Sequence, residues 1–252
     1  MSPTPLVDLH CHLLPAFAGG PVDFEAAVQR VVKAASAGVV CMVATPRYGD
    51  TGYRAQGQRA RAQLTTLESM LTDRGALVQI VLAAECRFGQ ALMQAIVMNE
   101  VPYVGNLDGE RVVLVTLPET RVPENLLAAI PWMRAHKVRP LIAAPERNRA
   151  VLHDIEVLAP VFDAGALFEV SAAALAGRLG PYSQQRARQM LERGWVEVIT
   201  SNAHASHASG AELHAGAEAA AVIVGDAAAA DLVWSHPARM VAPHLLRDRR
   251  RG

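Results

Sequence analysis

Short apolar runs alternate with amphipathic helical stretches along almost the whole chain, and this alternation restricts the fold more than any other feature. Leu6–His10, Val39–Ala44, Leu77–Ala84, Arg111–Leu117, Leu141–Ala143, Ala166–Val170 and Val196–Ser201 read as strands. Helical spacing fills the intervals. Asp23 can cap a helix over Phe24–Ala37, with Ala27, Val28, Val31 and Val32 on one face and Gly38 after its end. Leu64, Leu67 and Leu71 stripe a helix over Gln56–Arg74 that Gly75 closes. Ala91–Met98, a stretch from Pro123 to His136, His153–Ala164, Tyr182–Arg193, Ala211–Val224 and Ala227–Val233 complete the series. Pro237 and Pro243 near Trp234 suggest a terminal packing element, and Arg247–Gly252 a solvated basic end. About seven β–α units predict an α/β fold with a parallel sheet closed as a barrel. No repeat or Pro/Gly/Ser linker divides the sequence, so one domain over residues 1–252 is expected.

Composition removes several classes of function. At 51% apolar, the 252 residues can bury a large core, which excludes a disordered chain. With 24 basic and 24 acidic residues the net charge is zero, so nothing marks a nucleic-acid or membrane-surface partner. Cys11, Cys41 and Cys86 lie in or beside apolar runs and do not make a disulfide framework. The first apolar run carries Asp8 and His10 and follows no basic region, unlike a signal peptide. Runs such as Gly38–Pro46 fall short of the roughly 20 residues that span a bilayer. A cytoplasmic protein without membrane insertion is expected.

In a fold of this kind chemistry gathers at the carboxyl ends of the strands. The first such end reads His10-Cys11-His12. Side chains alternate along a strand, so these two imidazoles project to one side and can supply two ligands of a catalytic metal. Glu85, after Leu82-Ala83-Ala84, and His204, after Ser201-Asn202-Ala203, add ligand types at two further ends. A buried Glu85 needs a partner, which is a metal or, structurally, Arg87 or Arg147. Asp8 is placed to support the site rather than to bind a metal itself.

Other constellations are weaker. Cys41 and Arg47 have the C-x5-R spacing of cysteine-dependent phosphatases, but Cys41 lies inside a strand and no glycine-rich loop follows. Ser171 and Ser201 lack an acidic orienter for a serine nucleophile and read as packing or capping residues. His207 and His214 are candidates to replace missing ligands, though their spacing suits a solvated face. His136, His153, His236 and His244 read as surface residues.

Taken in order, Asp8-Leu9-His10-Cys11-His12-Leu13-Leu14-Pro15, Ala44-Thr45-Pro46, Glu85-Cys86-Arg87, Pro145-Glu146-Arg147-Asn148-Arg149 and Ala203-His204 resemble the polymerase and histidinol phosphatase (PHP) superfamily. The likeness is nearest to the bacterial protein-tyrosine phosphatases encoded with capsule and exopolysaccharide genes. It runs from about residue 6 to about residue 225, leaving 226–252 as a C-terminal helix and basic tail. The resemblance implies a distorted (β/α)7-type barrel holding up to three divalent ions, usually manganese. Arginines then clamp the phosphate of a phosphomonoester.

This chain departs from that pattern at most of the ligand positions. The first site keeps His10, His12 and Glu85, but its late aspartate is Asn202. The second site's glutamate and histidine correspond to Thr116 and Ala144. In the third, the acidic residues become Ala18-Gly19, the histidine after Thr-Pro is Arg47, and His204 is kept; a second arginine is Ser209. A guanidinium about 4 Å from a divalent ion repels it by about 8 kcal/mol at an effective dielectric near 20. The expectation is at most one divalent ion, manganese or zinc, on His10, His12, Glu85 and Asn202. Arg147 would hold phosphate, Arg47 would hold phosphate or pair with Glu85, and His204 would act as acid or base. Two readings stand: a degenerate member that binds a phosphorylated protein or another phosphomonoester with impaired or absent hydrolysis, and an active single-metal phosphatase. The resemblance also implies a bacterial tyrosine kinase as partner, and oligomerisation stays open.

Overall fold

The computed structural model describes residues 5–49, 52–203 and 209–248. Ten strands are formed: β1 Leu6–Cys11, β2 Val39–Ala44, β3 Arg47–Tyr48, β4 Gln79–Leu82, β5 Glu85–Arg87, β6 Gly105–Leu107, β7 Glu110–Thr116, β8 Val138–Ile142, β9 Leu167–Ser171 and β10 Val196–Thr200. Between and after them run α1 Phe24–Ser36, α2 Tyr53–Asp73, α3 Gln90–Val97, α4 Leu126–Ala135, α5 Arg149–His153, α6 Ala159–Asp163, α7 Ala172–Leu175, α8 Pro181–Glu192, α9 Ser209–Val224, α10 Asp226–Val233 and α11 Ser235–Asp248. Among the described residues, no helix is long and apolar enough to cross a membrane.

The strands form two sheets, parallel except for one hairpin partner. One has the order β1-β2-β4; the other runs β10-β9-β8-β7-β5-β3, with β6 antiparallel to β7. The two meet along a seam. Between β2 and β3 lie Thr45-Pro46, and between β4 and β5 lie Ala83-Ala84, so each pair acts as two halves of one interrupted strand. Pro46 has no N–H to donate and interrupts the ladder there. The seam is still bonded: Thr45 N donates to Cys11 O at 2.8 Å, Ala83 N to Ala44 O at 2.9 Å and Glu85 N to Pro46 O at 3.1 Å. At the other edge Cys11 bridges Ala203, and His12 N donates to Ala203 O at 3.2 Å. This connectivity makes a mixed α/β fold with parallel sheets and is compatible with the distorted barrel expected from the sequence.

The core supports that arrangement. One cluster takes residues from strand after strand, among them Val7, Leu9, Cys41, Val43, Val81, Leu114, Leu141, Leu167 and Val198, and adds Met240 and Val241 of α11. Inward-facing residues of a barrel fill its interior in this way. A larger cluster packs the helices on the outside. The terminal element inferred from Pro237 and Pro243 is α11, which closes on β6 so tightly that a Cβ on Gly105 would stand 1.9 Å from the carbonyl oxygen of Met240.

Several sequence expectations need correction. Leu77 is 95% exposed, and the strand begins only at Gln79. The helix expected over His153–Ala164 is broken into α5, a 3₁₀ turn Ile155–Leu158 and α6. Asp154 accepts from Glu156 N at 2.9 Å and restarts the chain, and Pro160 is confined to the first turn of α6, where its missing N–H costs nothing. In α1 the Asp23 cap forms, accepting from Ala26 N at 2.7 Å. Its buried face holds Arg30 while Val32 stays exposed, because the Arg30 guanidinium donates to His12 O at 2.7 Å.

Candidate functional site

The site is built from the carboxyl ends of strands in both sheets. His10 lies in β1 and His12 just after it, and Glu85 opens β5. Nε2 of His10 stands 3.6 Å and Nε2 of His12 3.4 Å from the same Glu85 oxygen, Oε2. All three residues are buried, and their ligand atoms lie within 4.8 Å of one another. The expected side-by-side projection of the two histidines is therefore present, with their ring centroids 5.1 Å apart.

Glu85 has a third neighbour. Arg47 Nε donates to Oε2 at 2.8 Å, so Arg47 is a structural partner of the carboxylate. Burial alone would raise the Glu85 carboxyl; His10, His12 and Arg47 outweigh it and hold it well below the usual carboxylate range.

Behind His10 sits Glu169 of β9, whose Oε1 lies 2.6 Å from His10 Nδ1. A carboxylate on one ring nitrogen fixes the tautomer and aims the other nitrogen at the site. Nε2 of His10 is buried and has no hydrogen-bond partner. Burial pushes this imidazole down, but Glu169 and Glu85 together lift it to about 10. Asp8, expected to support the site, does so through the backbone: its Oδ1 accepts from Ser201 N at 3.1 Å and His10 N at 3.4 Å, tying β1 to the end of β10. Sequence reading missed Glu169, although it is the sole charge between Asp163 and Arg178.

Glu146 is also fully buried. Its Oε1 accepts from Ser171 N at 3.1 Å, and its Oε2 lacks a hydrogen-bond partner. Burial raises its carboxyl to about 8, helped by Glu169 and opposed by the Ser171 N–H and Arg147. The unfolded value is 4.5, so the folded protein must retain a proton that the unfolded chain releases. Stability is unaffected below pH 4.5 and falls as pH rises towards 8, by about 1.4 kcal/mol per pH unit. Glu146→Gln removes that loss. Urea unfolding should show the variant gaining on wild type by a few kcal/mol between pH 5 and pH 8.

A cavity of about 260 Å3 opens beside Glu85, with Arg47, Thr116, Ala144, Arg147 and Asn202 in its wall. A second, of about 400 Å3, shares Arg47, Glu85, Thr116 and Glu119 and continues to Tyr48 and Arg87. Asn202 is buried, its Oδ1 has no hydrogen-bond partner among the described residues, and it takes φ +46°. Ala144, at φ +42°, is also left-handed, a conformation uncommon for a residue with a Cβ. The backbone thus bends sharply at two of the positions where the PHP resemblance places metal ligands.

His10, His12 and Glu85 could hold one metal ion. Among the described residues, His10 Nε2 and Asn202 Oδ1 are buried without hydrogen-bond partners, and His10 is oriented by Glu169. At positions where the PHP resemblance would place further ligands stand Thr116, Ala144 and Arg47, none of which offers a carboxylate or an imidazole.

The remaining candidates fall elsewhere. His204 and His207 lie outside the described residues, as does the Ser209 side chain. His214 Nε2 bonds Ala37 O at 2.8 Å and is not recruited to the site. His136 and His236 bond the carbonyls of Trp132 and Glu197, so His236, half-buried, is no plain surface residue. Ser201 Oγ accepts from Ala203 N at 3.1 Å, a local cap. Burial raises the Cys41 thiol to about 12 inside the core cluster, which removes it as a nucleophile.

Residues 6–242 match the family model for capsular polysaccharide synthesis proteins, CpsB/CapC. The chain belongs to the CpsB/CapC family. Relatives of this family include the putative tyrosine-protein phosphatase CapC of Staphylococcus aureus, 24% identical over 199 residues, which are 79% of this chain and 77% of CapC. The tyrosine-protein phosphatase YwqE of Bacillus subtilis (strain 168) is 23% identical over the same shares of each chain. A crystal structure from work on YwqE and on CpsB of Streptococcus pneumoniae, described as metal-dependent tyrosine phosphatases, superposes with a TM-score of 0.80 at 20% identity. It covers 90% of this chain and 91% of the other. A β-aspartyl dipeptidase from Fervidobacterium islandicum AW-1 shares the fold more distantly, with a TM-score of 0.54 at 13% identity over 94% of this chain and 73% of its own.

Proposed function

We propose that this CpsB/CapC member binds a phosphomonoester, foremost phosphotyrosine on a protein, and hydrolyses it slowly or not at all. Arg47 and Arg147 hold the phosphoryl oxygens. At most one divalent ion, manganese or zinc, takes His10, His12, Glu85 and Asn202. When bound, that ion supplies Lewis-acid polarisation of a phosphoryl oxygen. A bacterial tyrosine kinase is the natural source of the ligand, in keeping with the tyrosine-phosphatase names of the relatives. The three cysteines are free and buried, in keeping with a cytoplasmic setting.

The observation that carries this reading is the 2.8 Å contact between Arg47 Nε and Glu85 Oε2. It puts a positively charged side chain on the carboxylate around which a multi-metal centre would be built. Two-metal hydrolysis clamps attacking and leaving oxygens between ions about 3.5–4 Å apart. Thr116 and Ala144 offer no such second ion. The cleft wall carries three arginines, Arg47, Arg147 and Arg149, against two carboxylates, Glu85 and Glu119. Guanidinium groups match phosphate geometry with paired donors. His204 as acid or base rests on the sequence resemblance alone. Asn202 Oδ1, buried and unpartnered, favours the alternative of a working single-ion phosphatase.

Binding and turnover separate the two readings. Phenylphosphonate, a non-hydrolysable aryl phosphate analogue, should bind the wild-type protein in calorimetry. Turnover of p-nitrophenyl phosphate with manganese should stay at least about a thousandfold below the roughly 10 s⁻¹ typical of enzymes. A rate near 10 s⁻¹ would establish the active phosphatase instead. Absence of phenylphosphonate binding would remove the phosphate site altogether.

A further inference from the structure

The oxygen that Arg47 holds is the one a metal ion needs. Of the Glu85 carboxylate, Oε2 is the atom that faces His10 Nε2 and His12 Nε2, at 3.6 and 3.4 Å, and it is also the acceptor of Arg47 Nε at 2.8 Å. We infer that Arg47 is the selectivity residue of this site: it competes with a divalent ion for Glu85 Oε2, and a phosphoryl ligand that draws its guanidinium into the cleft opens the carboxylate to the ion. Metal and phosphomonoester then bind cooperatively through one side chain.

Geometry makes both ends of this exchange available. The Arg47 side chain is 44% exposed although its acceptor is 3% exposed, so the guanidinium reaches a buried carboxylate from the solvent side. Arg47 and Glu85 line both cavities of the cleft, and the larger one also takes in Arg87. An incoming phosphoryl dianion offers the guanidinium two acceptor oxygens in place of one. Glu85, left without that donor, is a buried carboxylate facing two imidazoles, and such a group takes up a cation in compensation. An ion bound first has the mirror effect: it occupies Oε2, displaces the guanidinium and leaves it to the phosphate. The coupling is reciprocal, because each ligand must alter the other's affinity by the same factor. Without an anion, Arg47 keeps the ion weakly bound.

This inference rests on the reading that the cleft binds a phosphoryl group, and the experiment separates the two. Calorimetry measures Mn2+ affinity with and without saturating phenylphosphonate, in wild type, Arg47→Ala and Arg47→Lys. In wild type, phenylphosphonate should tighten Mn2+ about tenfold. In Arg47→Ala, Mn2+ alone should already bind about tenfold tighter than in wild type, with phenylphosphonate adding less than about twofold. Arg47→Lys, which keeps the charge but loses the planar fork, should fall between them. In both variants Glu85 still faces His10 and His12, at 3.6 and 3.4 Å, and a urea unfolding curve for each variant checks that it is folded before titration. Equal Mn2+ affinity in wild type and Arg47→Ala, undiminished coupling in Arg47→Ala, or no Mn2+ binding to either protein overturns the inference. Failure of phenylphosphonate to bind any of the three, with Mn2+ still tighter in Arg47→Ala, overturns the phosphate reading and leaves the competition standing.

Discussion

Glu169→Ala should destabilise the protein by about 3–5 kcal/mol at pH 6, the usual cost of removing one partner from a buried ion pair. The cost arises because His10, 1% exposed, would keep a protonated ring with no acceptor on Nδ1. Its pH dependence has a defined sign. His10 rises from 6.5 in the unfolded chain to about 10 in the folded protein, so the pair stabilises fully below pH 6.5 and loses that contribution as pH climbs through 10. The gap between wild type and variant in urea unfolding should therefore be widest at pH 6 and narrow by pH 9.5. A gap that does not change with pH would mean that His10 is neutral in the fold. Glu169→Gln keeps an acceptor and should cost much less. Both variants should also weaken divalent-ion binding, by about 10–100-fold, as losses of a ligand's supporting partner do.

The second large effect is a gain. Replacing Arg47 by His, Thr116 by Glu, Ala144 by His and Asn202 by Asp returns four of the ligand positions that the PHP resemblance marks as altered, Ala18-Gly19 being left unchanged. Metal content per chain, measured by mass spectrometry after dialysis against manganese, should rise from at most one ion to two or three. Turnover of p-nitrophenyl phosphate should rise on the order of 10²–10³-fold or more, the scale of losing or regaining a main charge stabiliser in a transition state. The left-handed backbone at residues 144 and 202 is already bent, so the new side chains need no chain rearrangement there. A wild-type protein as fast as the restored one would refute the impaired-hydrolysis reading.

Much of this was legible in the sequence where local rules govern. The run Val39–Ala44 reads as a strand and is one, and the Asp23 cap forms where its spacing places it. The convergence of His10, His12 and Glu85 follows from strand alternation and from chemistry gathering at strand ends. What stayed hidden depends on tertiary placement. Glu169 looks like an isolated charge in an apolar run, and only the packing of β9 behind His10 reveals its use. Arg47 reads from sequence as a repelling charge, a phosphate clamp or a partner of Glu85. The β3–β5 register, which sets Arg47 directly opposite Glu85, brings about the pairing. Arg30 could not be assigned to a buried helix face by periodicity, since its burial depends on a carbonyl supplied by a different strand's end.

The seam between the two sheets gives the site a mechanical meaning. His10 and His12 belong to the sheet of β1, while Glu85, Arg47 and Glu169 belong to the other. Each imidazole–carboxylate contact of the site is therefore also a rivet between the two sheets, which backbone bonds at Thr45, Ala83, Glu85 and His12 help to join. Prising the sheets apart at this point must pull the imidazoles from the carboxylates, and whatever occupies the site resists that opening by its own binding free energy. This joint of the backbone framework is closed by the candidate site's own residues, so a ligand that binds there also tightens this end of the fold as its concentration rises.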